Sequence, residues 1–99
     1  MEITHKIVAD RLDLVVSGRI DTITSSDFQK SAVPLPQGVK SIDIDLAGVE
    51  YVSSAGLRAF AVLGLAVKEA GGALTVRNLQ EDVKTVFDMT GFSAMLGLS

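Results

Sequence analysis

Hydrophobic and polar residues alternate with a period of two in several short segments of the chain, which is the pattern of a half-buried β-strand. In the clearest case, residues 39–46, three Ile and Leu side chains alternate with Asp43 and Asp45. Tyr51 and Val52 end a further short extended stretch. Together these patterns predict four principal strands, over residues 3–9, 12–17, 39–46 and 73–77.

The longest predicted helix begins at Ser53 or Ser54, because serine is a favourable N-cap residue, and runs to about Ala70. The Gly71-Gly72 pair then supplies the flexible stop that often follows a helix. The helix is apolar almost all round over most of its length. One face must cover the sheet, and the other is either an exposed docking patch or ordinary core with scattered surface residues.

Two shorter helices are predicted on either side of the long one. The first extends to Ala32, ahead of two prolines that cannot donate a backbone hydrogen bond, and its candidate N-caps are Asp21, Thr22 and Thr24. The other follows Asn78, which together with Glu81 resembles a capping box. Gly91 breaks this helix, and residues 92–98 predict a final helical turn.

The predicted elements follow one another in the order β-β-α-β-α-β-α-α. Strands that alternate with helices indicate an α/β fold with parallel strand pairs. We therefore expect a mixed β-sheet of about four to five strands covered by about four helices, with an N-terminal hairpin followed by right-handed crossovers. The length of 99 residues fits one domain spanning residues 1–99.

The composition excludes several classes of site. Hydrophobic residues make up 47% of the chain, enough for a core of Val, Leu, Ile and Ala, which argues against disorder. The net charge of -3 and the lack of a basic patch argue against a nucleic-acid ligand. There is no cysteine and a single histidine, His5, which excludes disulfides and metal sites built from thiolates or several histidines. We expect no metal and no cofactor.

The first residues and the most apolar stretch both bear on location. Residues 1–5 lack the basic start and the apolar run of a signal peptide. The most apolar stretch, residues 59–67, is far shorter than the ~20 residues that span a bilayer. These features predict a cytoplasmic protein without direct membrane insertion.

Two adjacent serines, Ser53 and Ser54, lie where the predicted extended segment gives way to the long helix. The first backbone N–H groups of a helix lack internal partners, and the helix dipole adds partial positive charge there. A phosphate on either serine would be well placed to interact with this backbone. It would also add about -1.5 to -2 charges to the surface. The alternative is that the serines only cap the helix.

Three segments of the chain carry a recognisable pattern. Residues 17–21 read Ser-Gly-Arg-Ile-Asp, residues 45–58 contain Tyr-Val-Ser-Ser-Ala-Gly-Leu-Arg, and residues 86–92 read Val-Phe-Asp-Met-Thr-Gly-Phe. With the Gly71-Gly72 turn between the second and the third, they make the chain resemble the STAS domain family over nearly its whole length. The resemblance is to the stand-alone members of the anti-sigma-factor-antagonist type.

The resemblance implies which residue is phosphorylated and which residues contact a partner. The family's phosphorylated residue lies two positions before the motif glycine, which makes Ser54 the first choice and Ser53 the second. Here Ser53 stands where the family often has an acidic residue, and Ala55 where it often has Ser or Thr. The implied partner-binding surface consists of Asp21, Asp45, Ser53, Ala55, Gly56, Leu57 and Arg58.

Three charged residues in that set have alternative roles. Asp21 matches a family position close to the phosphorylation site, and Asp45 matches the end of the strand that leads towards it. Both would lie at the same edge of the sheet if their strands run parallel. Each could hydrogen-bond the serine hydroxyl or a basic residue of a partner. The alternatives are a helix N-cap for Asp21 and a loop-stabilising carboxylate for Asp45. Arg58 could pair with a partner's acid or with phosphoserine, or it is a solvated charge.

The resemblance implies a phosphorylation-gated binding module. The unmodified protein would bind an anti-sigma factor or serine kinase, phosphorylation of Ser54 by that kinase would release it, and a serine phosphatase would reverse the change. The alternative function is that of a constitutive STAS scaffold subunit of a bacterial lipid-transport ABC complex. The sequence has no Ser-His-Asp set, metal cluster or Gly-rich phosphate loop, so we do not expect an enzyme. Self-association is left open.

Overall fold

The computed structural model describes residues 1–92. Within them lie β1 (Glu2–Val8), β2 (Arg11–Ile20), α1 (Ser25–Lys30), β3 (Ser41–Val52), α2 (Ser54–Ala70), β4 (Leu74–Arg77) and α3 (Glu81–Met89). None of these helices has both the length and the apolar character needed to cross a membrane. The helical turn predicted over residues 92–98 lies almost entirely outside the described residues.

The four strands form one sheet in the order β1-β2-β3-β4. β1 and β2 make an antiparallel hairpin, whereas β3 pairs in parallel with β2 on one side and β4 on the other. The predicted mixed α/β sheet with an N-terminal hairpin is therefore confirmed. Residues 1–92 contain four strands and three helices, one helix fewer than the four expected for the whole chain.

The helices cover one face of the sheet, and three phenylalanine rings join them. Alternation along β2, β4 and the first half of β3 turns the buried Ile, Leu and Val side chains of these strands towards this face. Phe28 of α1, Phe60 of α2 and Phe87 of α3 are completely buried. Their rings form a row with centroid separations of 4.8 and 5.2 Å. Tilted and edge-on ring contacts of this kind add stability beyond the area that they bury.

The opposite face of the sheet carries the polar residues of the same alternation, and no helix of the described part covers it. Arg77 Nε lies 2.7 Å from Asp43 Oδ1, and Arg11 Nε lies 2.6 Å from Asp13 Oδ1. Because these pairs are exposed, each contributes little to the free energy of unfolding. Their main effect is to keep this face charged and hydrated.

The third strand is longer than predicted because its burial period changes along its length. Up to Leu46 every second residue is buried, but from there to Val52 every third residue is buried. The pairing with β2 shifts register twice in this part, between Val15 and Ser17 and between Gly18 and Arg19. Each shift is a β-bulge that inserts an extra residue into β3. A period of two therefore could not indicate the second half of the strand.

The capping box predicted at Asn78 is wrong. Asn78 has a φ of 58°, the left-handed region that Asn tolerates better than most residues, and it turns the chain as β4 ends. The N-cap of α3 is Gln80, whose backbone is extended and whose side chain makes no capping hydrogen bond. That side chain instead donates to the carbonyl oxygen of Ala47 at 2.7 Å, which ties the start of α3 to β3.

Candidate functional site

The two predicted serines lie where the parallel strands β2 and β3 end side by side. Ile20, the last residue of β2, pairs with Val52, the last residue of β3. The backbone N–H of Ser53 donates to the carbonyl oxygen of Ile20 at 2.9 Å. The turn that follows β2 and the helix that follows β3 therefore start from one edge of the sheet. This edge brings Asp21 and Ser54 together, as the sequence predicts.

Ser53 and Ser54 have different local roles. Ser53 is the N-cap of α2, with an extended backbone, and its Oγ accepts a hydrogen bond from the backbone N–H of Gly56 at 3.2 Å. Ser54 is the first residue of the helix and is exposed. Within residues 1–92 its hydroxyl makes no hydrogen bond. The cap therefore uses the hydroxyl of Ser53 and leaves that of Ser54 unengaged.

This difference predicts unequal effects of two alanine variants on the free energy of unfolding. Ser53→Ala should lower the free energy of unfolding by about 1 kcal/mol, because the N-cap acceptor is lost. Ser54→Ala should change it by less than about 0.5 kcal/mol, because an exposed, unengaged hydroxyl is removed. Urea denaturation of both variants beside the unaltered protein measures the difference. A larger loss for Ser54→Ala than for Ser53→Ala would contradict this assignment of the cap.

The next four residues of α2 divide into buried and accessible ones. Gly56 and Leu57 are buried, so they position the start of the helix and present little surface to a partner. Ala55 is half-buried, and Arg58 is exposed. Among the predicted partner-binding residues between positions 53 and 58, Ser53, Ala55 and Arg58 therefore retain accessible surface.

Asp21 organises the turn between β2 and α1. Its Oδ1 accepts hydrogen bonds from the backbone N–H groups of Ile23 at 2.9 Å and Thr24 at 3.0 Å. The Thr24 bond is the main cause that lowers the pKa of Asp21, and the Ile23 bond acts in the same direction. The carboxylate thus holds the turn ahead of α1 while Thr24 occupies the N-cap position itself. This role is close to the helix-capping alternative for Asp21.

Asp45 does not lie beside Asp21, which corrects the expectation that they share one edge of the sheet. It is in the middle of β3, opposite Val15 and Arg77, and seven residues before Val52. At about 3.3 Å per strand residue, without the two extra residues that the bulges take up, it lies roughly 20 Å from Ser53. The reason is that β3 does not end at Leu46 but continues through its bulged half.

The carboxylate of Asp45 stabilises the first bulge. Its Oδ1 accepts from the backbone N–H of Ala47 at 2.9 Å, and this bond is the main cause that lowers the pKa of Asp45. A hydrogen bond with the Asn78 side chain lowers it further. The geometry therefore favours the loop-stabilising alternative for Asp45, at a distance from Ser53 and Ser54.

The sequence that builds this site matches a known protein family. A family model described as "Mlab, STAS domain" matches residues 3–97. The chain belongs to the STAS domain family. The predicted resemblance is thereby confirmed.

This STAS domain is similar to several anti-sigma-factor antagonists. It is 32% identical over 84 residues to the anti-sigma-B factor antagonist of Bacillus subtilis, an alignment that covers 85% of this chain and 77% of that protein. The unphosphorylated form of the antagonist SpoIIAA has the same fold, with a TM-score of 0.81 at 12% identity over 94% of this chain and 84% of that one. An antagonist from Mycobacterium paratuberculosis gives a TM-score of 0.79 at 22% identity, with 98% and 83% covered.

A stacked pair beside the serines was not predicted from the sequence of this STAS domain. The guanidinium of Arg19 lies 4.3 Å from the ring centroid of Tyr51, and its Nε lies 3.7 Å from Asp21 Oδ2. Tyr51 is 42% exposed, and Ile23 in the adjoining turn is 87% exposed. The opposition of Arg19 and Tyr51 depends on the second bulge, so no period in the sequence could have indicated it.

A groove between α1 and α2 opens next to Ser54 in this STAS domain. Its volume is about 380 Å³, and it is lined by Ser25, Ser26, Gln29, Lys30, Ala55, Arg58 and Ala59. Arg58 was predicted from its place in the motif, whereas the residues of α1 were not. They belong to a helix far away in the sequence, and only the packing of α1 on α2 brings them to the same surface.

Proposed function

We propose that this STAS domain is a phosphorylation-gated anti-sigma-factor antagonist that acts in the cytoplasm. The unmodified domain binds an anti-sigma factor that is also a serine kinase. The kinase transfers the γ-phosphoryl group of ATP to Ser54 Oγ, and the modified domain is released. A serine phosphatase removes the phosphate and restores binding. The domain itself takes no catalytic part, and it spans residues 1–99.

The observation that carries the proposal is the exposed hydroxyl of Ser54, which has no hydrogen bond within residues 1–92, beside Ser53, whose hydroxyl accepts the capping hydrogen bond. A kinase can modify Ser54 without altering the hydroxyl that caps α2, whereas modification of Ser53 would convert the oxygen that accepts from Gly56 into a phosphate ester oxygen and so rearrange the cap. The similarity to relatives named as anti-sigma-factor antagonists supports the same role. Ser54 therefore remains the first choice and Ser53 the second.

The switch needs only a change of charge in a small interface. A phosphate adds about -1.5 to -2 charges at neutral pH. A loss of about 1.4 kcal/mol in binding free energy corresponds to a tenfold weaker complex. A phosphate that a partner cannot pair in a desolvated contact exceeds this value, because a buried unpaired charge is strongly unfavourable. The surface proposed for the partner comprises Asp21, Ser53, Ala55, Arg58 and the exposed turn at Ile23.

The proposal is tested by binding and by intact mass. Ser54→Asp should weaken binding to the cognate anti-sigma factor at least about tenfold, whereas Ser54→Ala should bind like the unaltered chain. Co-expression with candidate kinases should add about 80 Da to the unaltered chain and to Ser53→Ala, but not to Ser54→Ala. Calorimetry and mass spectrometry give the two readouts.

Two outcomes would contradict the proposal. A mass gain that is retained in Ser54→Ala would move the modification to another residue. Unweakened binding by Ser54→Asp would reject the charge-gated switch.

A further inference from the structure

The groove between α1 and α2 contains two cations that have no partner in the described part of the chain. Lys30 and Arg58 both line it, one from each helix. Among residues 1–92, neither side chain forms an ion pair or a hydrogen bond. The rest of the lining is supplied by small or uncharged side chains. The groove is therefore a local concentration of positive charge on a chain whose net charge is -3.

Helix geometry places Ser54 within reach of one of these cations. Ser54 and Arg58 are four residues apart in α2, so their side chains lie on one face of the helix with Cβ atoms about 5–6 Å apart. A phosphate on Ser54 Oγ would extend from that face. The fork of an Arg guanidinium matches the oxygens of a phosphate and pairs with two of them at once. Lys30 would approach the same phosphate from α1.

The nearby carboxylates do not occupy the groove. Asp21 lies in the turn ahead of α1, where it accepts two backbone hydrogen bonds and lies beside Arg19. Asp27 is on α1 but is not among the lining residues. No acid of the described part therefore competes for Arg58 and Lys30 inside the groove.

We propose that Arg58 and Lys30 receive the phosphate carried by Ser54, so that the modified domain neutralises its own cationic groove. The inference rests on the proposed function and deepens it. In the unmodified state two free cations face outward beside Ser54 and are available to acidic groups of a partner. In the modified state the phosphate forms ion pairs with both side chains. Phosphorylation then adds negative charge and also leaves Arg58 and Lys30 unable to pair with acidic groups of a partner.

The test uses the full chain with phosphoserine genetically encoded at position 54, and it follows the phosphorus NMR signal as a function of pH. Arg58→Gln should raise the second pKa of the phosphate by about 0.5, the effect of one unit charge a few ångströms away in a solvated setting. Lys30→Gln should raise it by a smaller amount. Lys68→Gln is the matched control, because it removes an exposed cation from the far end of the same helix, and it should leave the pKa unchanged.

Equal phosphate pKa values in the unaltered chain and in Arg58→Gln would overturn the proposal. A second arm adds inorganic phosphate to the unmodified chain and follows the amide signals of Lys30 and Arg58. Weak, unsaturated shifts are expected, and saturation below about 1 mM would assign the groove to a free anion instead. Because the phosphoserine is encoded, the result does not depend on any kinase. Unweakened partner binding by Ser54→Asp would reject the proposed function but not this inference.

Discussion

Replacing Phe60 with alanine is expected to lower the free energy of unfolding by about 3–5 kcal/mol, the range for a buried Phe→Ala change. Phe60 is completely buried and lies between the rings of Phe28 and Phe87, at 4.8 and 5.2 Å. Its removal opens a cavity where all three helices meet, and the two remaining rings lose their common neighbour. Guanidinium chloride denaturation monitored by far-UV circular dichroism measures the loss.

Leu65→Ala is the matched control for that variant. Leu65 lies on the same helix but is 58% exposed, so its truncation should change the free energy of unfolding by no more than about 0.5 kcal/mol. A similar loss for the two variants would mean that the row of rings does not hold the helices together.

Gly56→Ala is the second variant with a large expected effect, a loss of about 1–3 kcal/mol in the free energy of unfolding. An added Cβ would lie 2.7 Å from the carbonyl oxygen of Ile20 and 2.9 Å from Val52 Cγ1. Overpacking of this kind costs about 1–3 kcal/mol. The displaced carbonyl also accepts the hydrogen bond from the Ser53 N–H, whose loss adds about 1 kcal/mol. The better helix propensity of alanine offsets part of the total.

Two measurements separate this local clash from a general loss of stability. Urea denaturation gives the total, and hydrogen exchange of the Ser53 amide reports the bond to Ile20. Gly38→Ala is the control, because Gly38 has a φ of 84° but no heavy atom within 4 Å of an added Cβ. It should lose about 1 kcal/mol from backbone strain without faster exchange at Ser53. Unchanged exchange at Ser53 in Gly56→Ala would contradict the close approach of α2 to β2.

The sequence predicts most of the architecture because alternation and capping are local. The period of two located the regular parts of the strands, and the serine pair followed by Gly71 bounded α2 at Ser54 and Ala70. The bulged half of β3 was missed since its burial repeats every third residue. Asn78 was misassigned because a left-handed turn and an N-cap favour the same short polar side chains.

The candidate site was predictable only in part, because local patterns do not show how distant segments pack together. The family motif located Ser54, and the parallel pairing of β2 and β3 brings Asp21 to it. The placement of Asp45 depended on where β3 ends, which the bulges changed. The groove with Lys30 and the stack of Arg19 on Tyr51 arise from tertiary packing. No spacing within a single segment of the sequence encodes either of them.

The hydroxyl of Ser54 and the turn that contains Asp21 become neighbours only after folding, because β2 and β3 pair in parallel. In an unfolded chain Ser54 and that turn are not held close together. A kinase that contacts both segments would therefore modify folded molecules and leave unfolded ones unmodified. The number of modified molecules would then depend on the amount of folded protein, not on the total amount that the cell has made.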